Sequence, residues 1–229
     1  MNILVTGASA GIGKCIANSL EGEIFAVGRC KERLQQYKNY LVCDFEKSPD
    51  ELGEYIISNK IDIVINNAGE YIYKAADKLE LADIERLIRV NLTIPMYIIS
   101  KALPYMKAQK WGRIVNIGSI SGVMGEAGAS VYSASKSGLI GMTKAIALET
   151  AQDNITINTI NPGWVETNLG LESIESSEFS EDEILDCIPQ RRFVTPQEVA
   201  GMVKYLISDD AKGVTGQSIN LCAGLSVGC

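Results

Sequence analysis

The chain has 229 residues, 46% hydrophobic and 21% charged, a composition that excludes a disordered or fibrous protein. With 28 acids against 21 bases its formal net charge is −7, the wrong sign for gripping a phosphate backbone, so nucleic acid is excluded as a partner. No uncharged apolar run approaches about 18 residues, and the first residues show neither a basic segment nor a small-residue cleavage site, so a cytoplasmic protein with no membrane partner is expected.

Short β-branched or apolar runs alternate with helical periodicity from end to end. Residues 2–6, 23–27, 39–43, 61–65, 112–117, 155–160 and 217–221 are predicted as strands. Residues 11–20, 48–59, 80–108, 131–151 and 196–208 are predicted as helices, the last with Thr195 as N-cap and Pro196 at its first position. Such alternation predicts an α/β fold, a doubly wound parallel sheet with helices on both faces, in one domain over 1–229. Seven acids without a single base fall in 171–186, which is expected to form a solvated helix or a flap.

Histidine is absent and the six cysteines include no C-x-x-C pair, so no metal site is expected and imidazole chemistry is excluded. Proton transfer must then use Tyr, Lys, Asp, Glu or Cys. The first predicted strand runs into Thr6-Gly7-Ala8-Ser9-Ala10-Gly11-Ile12-Gly13, a glycine-rich turn opening a helix whose free N–H groups suit an anion. A tight turn without a ligand is the alternative for this motif alone. A P-loop does not fit, because Ala8 replaces its first glycine and Cys15 its Ser or Thr. The fourth strand ends in Asn66-Asn67-Ala68-Gly69 and the fifth delivers Ser119, so three polar or glycine-rich switches follow the carboxyl ends of parallel strands, the ligand-binding edge of an open α/β sheet. Simple turn formation is the bland alternative for each.

Asn91 lies on the apolar stripe of the helix 80–108, four residues before Pro95, which lacks the N–H that would bond the Asn91 carbonyl. The spot requires satisfaction, by a structural partner or by a water in a catalytic network. Tyr132 and Lys136 share one helix face. A free Tyr titrates near ~10; lowering it by about three units takes roughly 4 kcal/mol, about what an ammonium some 4 Å away supplies at a dielectric of about 20.

With these residues in place, the sequence resembles the short-chain dehydrogenase/reductase family in its compact single-domain branch. The matching positions run from the glycine turn through Asp44, Asn66 to Gly69, Asn91, Ser119, Tyr132-x-x-x-Lys136 and Asn161-Pro162-Gly163 to Thr167. The resemblance implies a Rossmann-like domain in which Tyr132 exchanges the proton with the substrate and Ser119 bonds the substrate oxygen. It further implies that Lys136 binds the nicotinamide ribose and lowers the Tyr132 pKa, and that Asn91 holds a relay water. For the cofactor it implies contacts from Gly7, Ser9, Gly11, Ile12 and Gly13 in the turn, Asp44 at the adenine, and Asn67, Ala68 and Gly69 at the adenosine ribose. Pro162, Gly163, Val165 and Thr167 complete that set on the nicotinamide side. A substrate loop is implied at about 168–192. Ala223 departs from the family, which usually has glycine there.

An NAD-selective site places a carboxylate at the end of the second strand, whereas here Gly28 is followed by Arg29, whose planar fork suits a 2′-phosphate; Lys31 and Arg33 add charge nearby, and Ala10 lacks the second base of many NADP-dependent relatives. The expected activity is NADP(H)-preferring, with NAD possible, and interconverts a ketone and a secondary alcohol of a small-molecule substrate. One alternative is a 3-oxoacyl-[acyl-carrier-protein] reductase with Lys107, Lys110 and Arg113 as docking patch; another is a dinucleotide-binding regulator without turnover. A homo-oligomer, tetramer or dimer, is expected from the resemblance.

Overall fold

A computed structural model of the chain describes residues 1–47, 49–167, 170, 174 and 180–228. Among them, β1 (Asn2–Thr6), β2 (Glu23–Gly28), β3 (Asn39–Val42), β4 (Ile63–Asn66), β5 (Gly112–Ile117), β6 (Ile155–Pro162) and β7 (Ser218–Leu221) form a parallel sheet in the order β3-β2-β1-β4-β5-β6-β7. Helices α1 (Gly11–Ser19), α2 (Lys31–Leu34), α3 (Asp50–Ser58), α4 (Leu81–Ile88), α5 (Ile94–Gln109), α6 (Ser121–Met124), α7 (Ser130–Thr150), α8 (Glu181–Cys187) and α9 (Pro196–Ile207) connect and flank it. No helix among the described residues is long and apolar enough to cross a membrane.

The two-residue period of a strand divides the core into two layers. Leu4 of β1 packs with Leu52 and Ile56 of α3, Ile98 and Ala102 of α5, and Leu139 and Met142 of α7. Its neighbours Ile3 and Val5 face the other way, onto Ile16 of α1 and Val199, Val203 and Leu206 of α9. Burial on both faces is why the inner strands β1 and β4 read as nearly continuous apolar runs. The chain builds β1, β2 and β3 outward in one direction, then places β4 on the other side of β1. The helices leaving β1 and β4 therefore diverge, and a crevice opens at the carboxyl ends of these strands.

The predicted helix 80–108 is interrupted. A π-helical turn, Arg89–Thr93, separates α4 from α5, and the Ile94 N–H reaches back to the Arg89 carbonyl. Pro95 accounts for the break, since the i+4 bond to Asn91 is chemically impossible and the wider turn redistributes the neighbouring bonds. Helices α2 and α6 escaped the sequence pattern because four residues are too few to show a helical period. In the acidic segment, residues 181–187 form α8, where Ser180 and Glu183 cap each other and three acids stand in the first turn against the positive end of the helix dipole. The expected loop at 168–192 is described only at 170, 174 and 180–192. Thr195 caps α9 as expected, with Pro196 at its start.

One other expectation changes. Arg113 belongs to no docking patch: it is 1% exposed, donates to the Gly112 and Asn154 carbonyls at 2.8 and 2.9 Å, and stacks on Trp111, while Lys110 is paired with Asp153. Ala223 adopts a left-handed φ of +52°, so its methyl is carried in a region that glycine enters without cost.

Candidate active site

The crevice encloses roughly 800 Å³ between the glycine turn, the ends of β4 and β5, α7, and the segment after β6. Thr6 closes β1 against β4: its Oγ1 accepts the N–H groups of Asn67 and Ala68, both at 3.0 Å, while Asn67 Nδ2 donates to the Thr6 carbonyl at 2.9 Å. Gly7 then turns with φ +68°, and a Cβ there would sit 2.7 Å from Asn67 Nδ2. Gly11, at φ +51°, opens α1, whose N-cap Ala10 offers no side-chain acceptor, so the first N–H groups of the helix face the crevice without a cap. Backbone bare of side chains beside an uncapped helix end fits a pyrophosphate, and a side chain at Gly7 would strike Asn67.

Of the residues expected at the cofactor, Gly7, Ser9, Gly11, Ile12, Arg29, Asp44, Asn67, Ala68, Gly69, Tyr132, Lys136, Pro162, Gly163, Val165 and Thr167 line this crevice. Gly13 does not. It is buried against the Gly7 carbonyl and Asn67 Nδ2, where any Cβ would collide, so it serves helix–strand packing. Arg29 lines the crevice, but its Nη1 is bound to Glu70 Oε1 at 2.8 Å, and Glu70 also lies 3.6 Å from Arg86 of α4. The guanidinium expected to await a phosphate is thus already paired with a carboxylate from the opposite wall.

Ser119, Tyr132 and Lys136 also meet here. The Ser119 hydroxyl donates to Ser121 Oγ at 3.1 Å and accepts the Ser121 N–H at 3.2 Å. Lys136 is buried, donates to the Ile117 carbonyl at 2.9 Å, and stands 5.6 Å from the centre of the Tyr132 ring. Burial lowers the Lys136 pKa to about 8. Burial likewise pushes Tyr132 up to about 12, opposed by its hydrogen bond with Ser119 and assisted by the charge of Glu126. The expected depression of the Tyr132 pKa by Lys136 is therefore not in place here: the ammonium is turned to a backbone carbonyl and desolvation dominates.

Asn91 is 1% exposed and stands behind Gly69, outside the crevice lining. Its Oδ1 accepts the Glu70 N–H at 2.8 Å, and its Nδ2 donates to the Glu70 carbonyl at 2.9 Å and to Ser135 Oγ at 3.2 Å. Ser135 in turn donates to the Tyr132 carbonyl at 2.7 Å. The side chain thus ties the β4 switch to the first turn of α7. Its proximity to Lys136 is nonetheless real, since a Cβ on Gly69 would lie 3.2 Å from Asn91 Oδ1 and 3.4 Å from Lys136 Nζ.

Glu70, Tyr71, Ser121 and Glu126 were not singled out in the sequence. Glu126 Oε1 accepts from Tyr71 Oη at 2.7 Å and Oε2 from Ser121 Oγ at 2.6 Å, and the Tyr71 ring packs edge-on against Tyr132 at 5.1 Å. Burial and the Glu126 carboxylate raise the Tyr71 pKa, so this phenol stays protonated as a donor. Glu70 had one available signal, its place directly after the Asn66 to Gly69 switch; Glu126, in a glycine-rich loop, had none.

A family model described as Enoyl-(Acyl carrier protein) reductase matches residues 42–226. The chain is 38% identical to a protein named as a ketoacyl reductase of the granaticin polyketide synthase of Streptomyces violaceoruber, over 97% of this chain and 92% of that one. It is 34% identical to the 3-oxoacyl-[acyl-carrier-protein] reductase FabG of Aquifex aeolicus, over 97% and 96%. Among solved structures, a single-substitution variant of an actinorhodin polyketide ketoreductase with NADPH superposes with a TM-score of 0.93 at 35% identity, covering 99% of this chain and 97% of that one. Sheet order, crevice and relatives agree, and the chain belongs to the short-chain dehydrogenase/reductase family of oxidoreductases.

Proposed function

We propose that the whole chain acts as one cofactor-binding and catalytic domain, an NADP(H)-preferring oxidoreductase that interconverts a ketone and a secondary alcohol. The observation that carries this reading is the convergence of Ser119, Tyr132 and Lys136 at the floor of a crevice walled by the glycine turn. The NADPH of the solved relative supports the choice of cofactor. Gly7 to Ile12, Asn67 to Gly69 and Pro162 to Thr167 are the residues that would hold the dinucleotide, which when bound supplies or accepts a hydride. Ser119 orients the substrate oxygen, Tyr132 delivers or removes its proton, and Lys136 supplies positive charge beside it. Asn91 positions Glu70 and α7 through the bonds described above, which leaves the main-chain carbonyl unpartnered by Pro95 as its route into a proton relay.

The FabG relative keeps a second reading alive, reduction of a carrier-linked 3-oxoacyl group. Burial of Arg113 removes part of the basic surface on which that reading relied, and the acids of 171–186 repel an acidic carrier. Cytoplasmic location and a homotetramer complete the proposal; light scattering is expected to give about four times the 24.8 kDa chain, and a monomer mass would refute it. The activity is tested by following reduced nicotinamide across ketones, sugars and 3-oxoacyl thioesters. Tight NADPH binding with no turnover of any of them would establish the regulator instead.

A further inference from the structure

Glu126 is a carboxylate set into the wall of the catalytic crevice, beside Ser119 and Tyr132, and it stands outside the proton chemistry assigned above. Among the described residues two donors reach it, Tyr71 Oη at 2.7 Å and Ser121 Oγ at 2.6 Å, one on each oxygen. A carboxylate offers about four acceptor directions, so about two remain open after these bonds are made. The donors also hold it in place: Tyr71 is packed on Tyr132, and Ser121 is 7% exposed at the start of α6. No Lys or Arg pairs with it among the described residues, whereas Glu70 has both Arg29 and Arg86.

The result is a fixed, partly desolvated acceptor, without a balancing cation, beside the hydroxyls of Ser119 and Tyr132. An alkyl chain laid against it would strip its remaining water and return no hydrogen bond, which costs free energy. A carboxylate or phosphate on the substrate would meet like charge. A hydroxyl or ammonium would fill the open acceptor direction with a charge-assisted bond.

We propose that Glu126 selects carbonyl substrates, and the matching alcohols, that carry a hydrogen-bond donor, hydroxyl or ammonium, within a few atoms of the reacting carbon. This rests on the ketone–alcohol reading of the same crevice and narrows it toward polyhydroxy or amino ketones, away from plain acyl chains.

The test uses ketones of equal size that differ only in the terminal group: butan-2-one, hydroxyacetone and aminoacetone, then pentan-2-one, 4-hydroxybutan-2-one and 4-aminobutan-2-one. For each, kcat/KM is measured at saturating NADPH and the dissociation constant by ligand-observed NMR, with the full-length chain and its Glu126→Gln and Glu126→Leu variants. In at least one series the donor-bearing ketones are expected to exceed the alkyl ketone by about ten- to a hundredfold in the unmodified protein. Glu126→Leu removes that preference. Glu126→Gln keeps much of the hydroxyl preference, because its amide oxygen still accepts, but loses the ammonium preference with the charge. Should the Leu variant fail to fold, the near-isosteric Gln variant decides through the amino ketone alone. The two arms also tell hydroxyl from ammonium as the preferred donor. Ratios equal in all three proteins, or no binding of any probe, overturn the inference. Binding ratios that shift with Glu126 in a protein that turns over no ketone would instead overturn the oxidoreductase reading and leave the donor selectivity standing.

Discussion

Asn91 holds the peptide of Glu70 at both ends, accepting its N–H at 2.8 Å and donating to its carbonyl at 2.9 Å. One side chain thus satisfies two backbone groups of the β4 switch, and through Ser135 it links that switch to α7. Replacing it with alanine leaves both Glu70 groups without this partner in a half-buried place. Asn91→Ala is expected to cost about 2–4 kcal/mol in urea unfolding and to lower kcat with it. Stability unchanged within about 0.5 kcal/mol would show that water replaces the amide freely.

Arg29 and Glu70 face each other across the crevice proposed to hold the cofactor, so a 2′-phosphate bound there would compete with a carboxylate for the same fork. The pair is exposed on the arginine side, and its own contribution to stability is small. Its effect belongs to binding. Glu70→Gln is expected to tighten NADPH several-fold more than NADH, and Arg29→Ala to weaken NADPH about ten- to a hundredfold with little change for NADH. Fluorescence titration of the reduced nucleotides reads both, and equal effects on the two would place Arg29 away from the ribose phosphate.

Tyr132→Phe removes only the hydroxyl at the carbonyl side of the crevice. Turnover is expected to fall by about two to four orders of magnitude, while NADPH affinity and thermal midpoint stay close to those of the unmodified chain. Near-normal turnover would move the proton donor to another residue.

Lys136 carries a desolvated ammonium whose folded pKa, about 8, lies below the ordinary lysine value. Between about pH 8 and the unfolded value near 10.4 the unfolded chain binds more protons, so this residue's burial penalty is full below pH 8 and fades as pH rises. The stability of Lys136→Met relative to the parent is therefore expected to be greatest at pH 7 and to decline steadily toward pH 10.5. Denaturant unfolding of the two proteins across that range measures it, and a flat difference would mean that Lys136 is effectively hydrated.

Ala223 holds a left-handed φ of +52° just after β7, and its carbonyl accepts the Gln190 N–H at 3.2 Å. Glycine takes this conformation without the methyl clash. Ala223→Gly is expected to stabilise the chain by up to about 1 kcal/mol, a rise of about 2–4 °C in Tm, and a fall in Tm would show that the methyl's packing outweighs the strain.

The sequence alone determined the architecture because a strand buried on both faces and a helix with one apolar stripe each leave a periodic signature. β1, β5 and β6 and the helices α1, α7 and α9 were legible for that reason, as were Thr195 and Pro196 at the start of α9. It also determined which residues meet at the crevice, since Gly7, Asn67 and Ser119 follow strands whose carboxyl ends a parallel sheet must align. Tyr132 and Lys136 were bound together by helical spacing, and the break near Asn91 by the N–H that Pro95 lacks. Side-chain partnership across the crevice was decided only by tertiary structure. Nothing local to Arg29 shows that Glu70, 41 residues away, takes its fork, nor to Glu126 that Tyr71, 55 residues away, donates to it. The pKa of Tyr132 has the same origin: spacing placed Lys136 beside it, but burial and the direction of the ammonium set which force prevails. Periodicity records how each residue faces its own element, whereas hydrogen bonds and desolvation depend on atoms that the fold brings in from elsewhere.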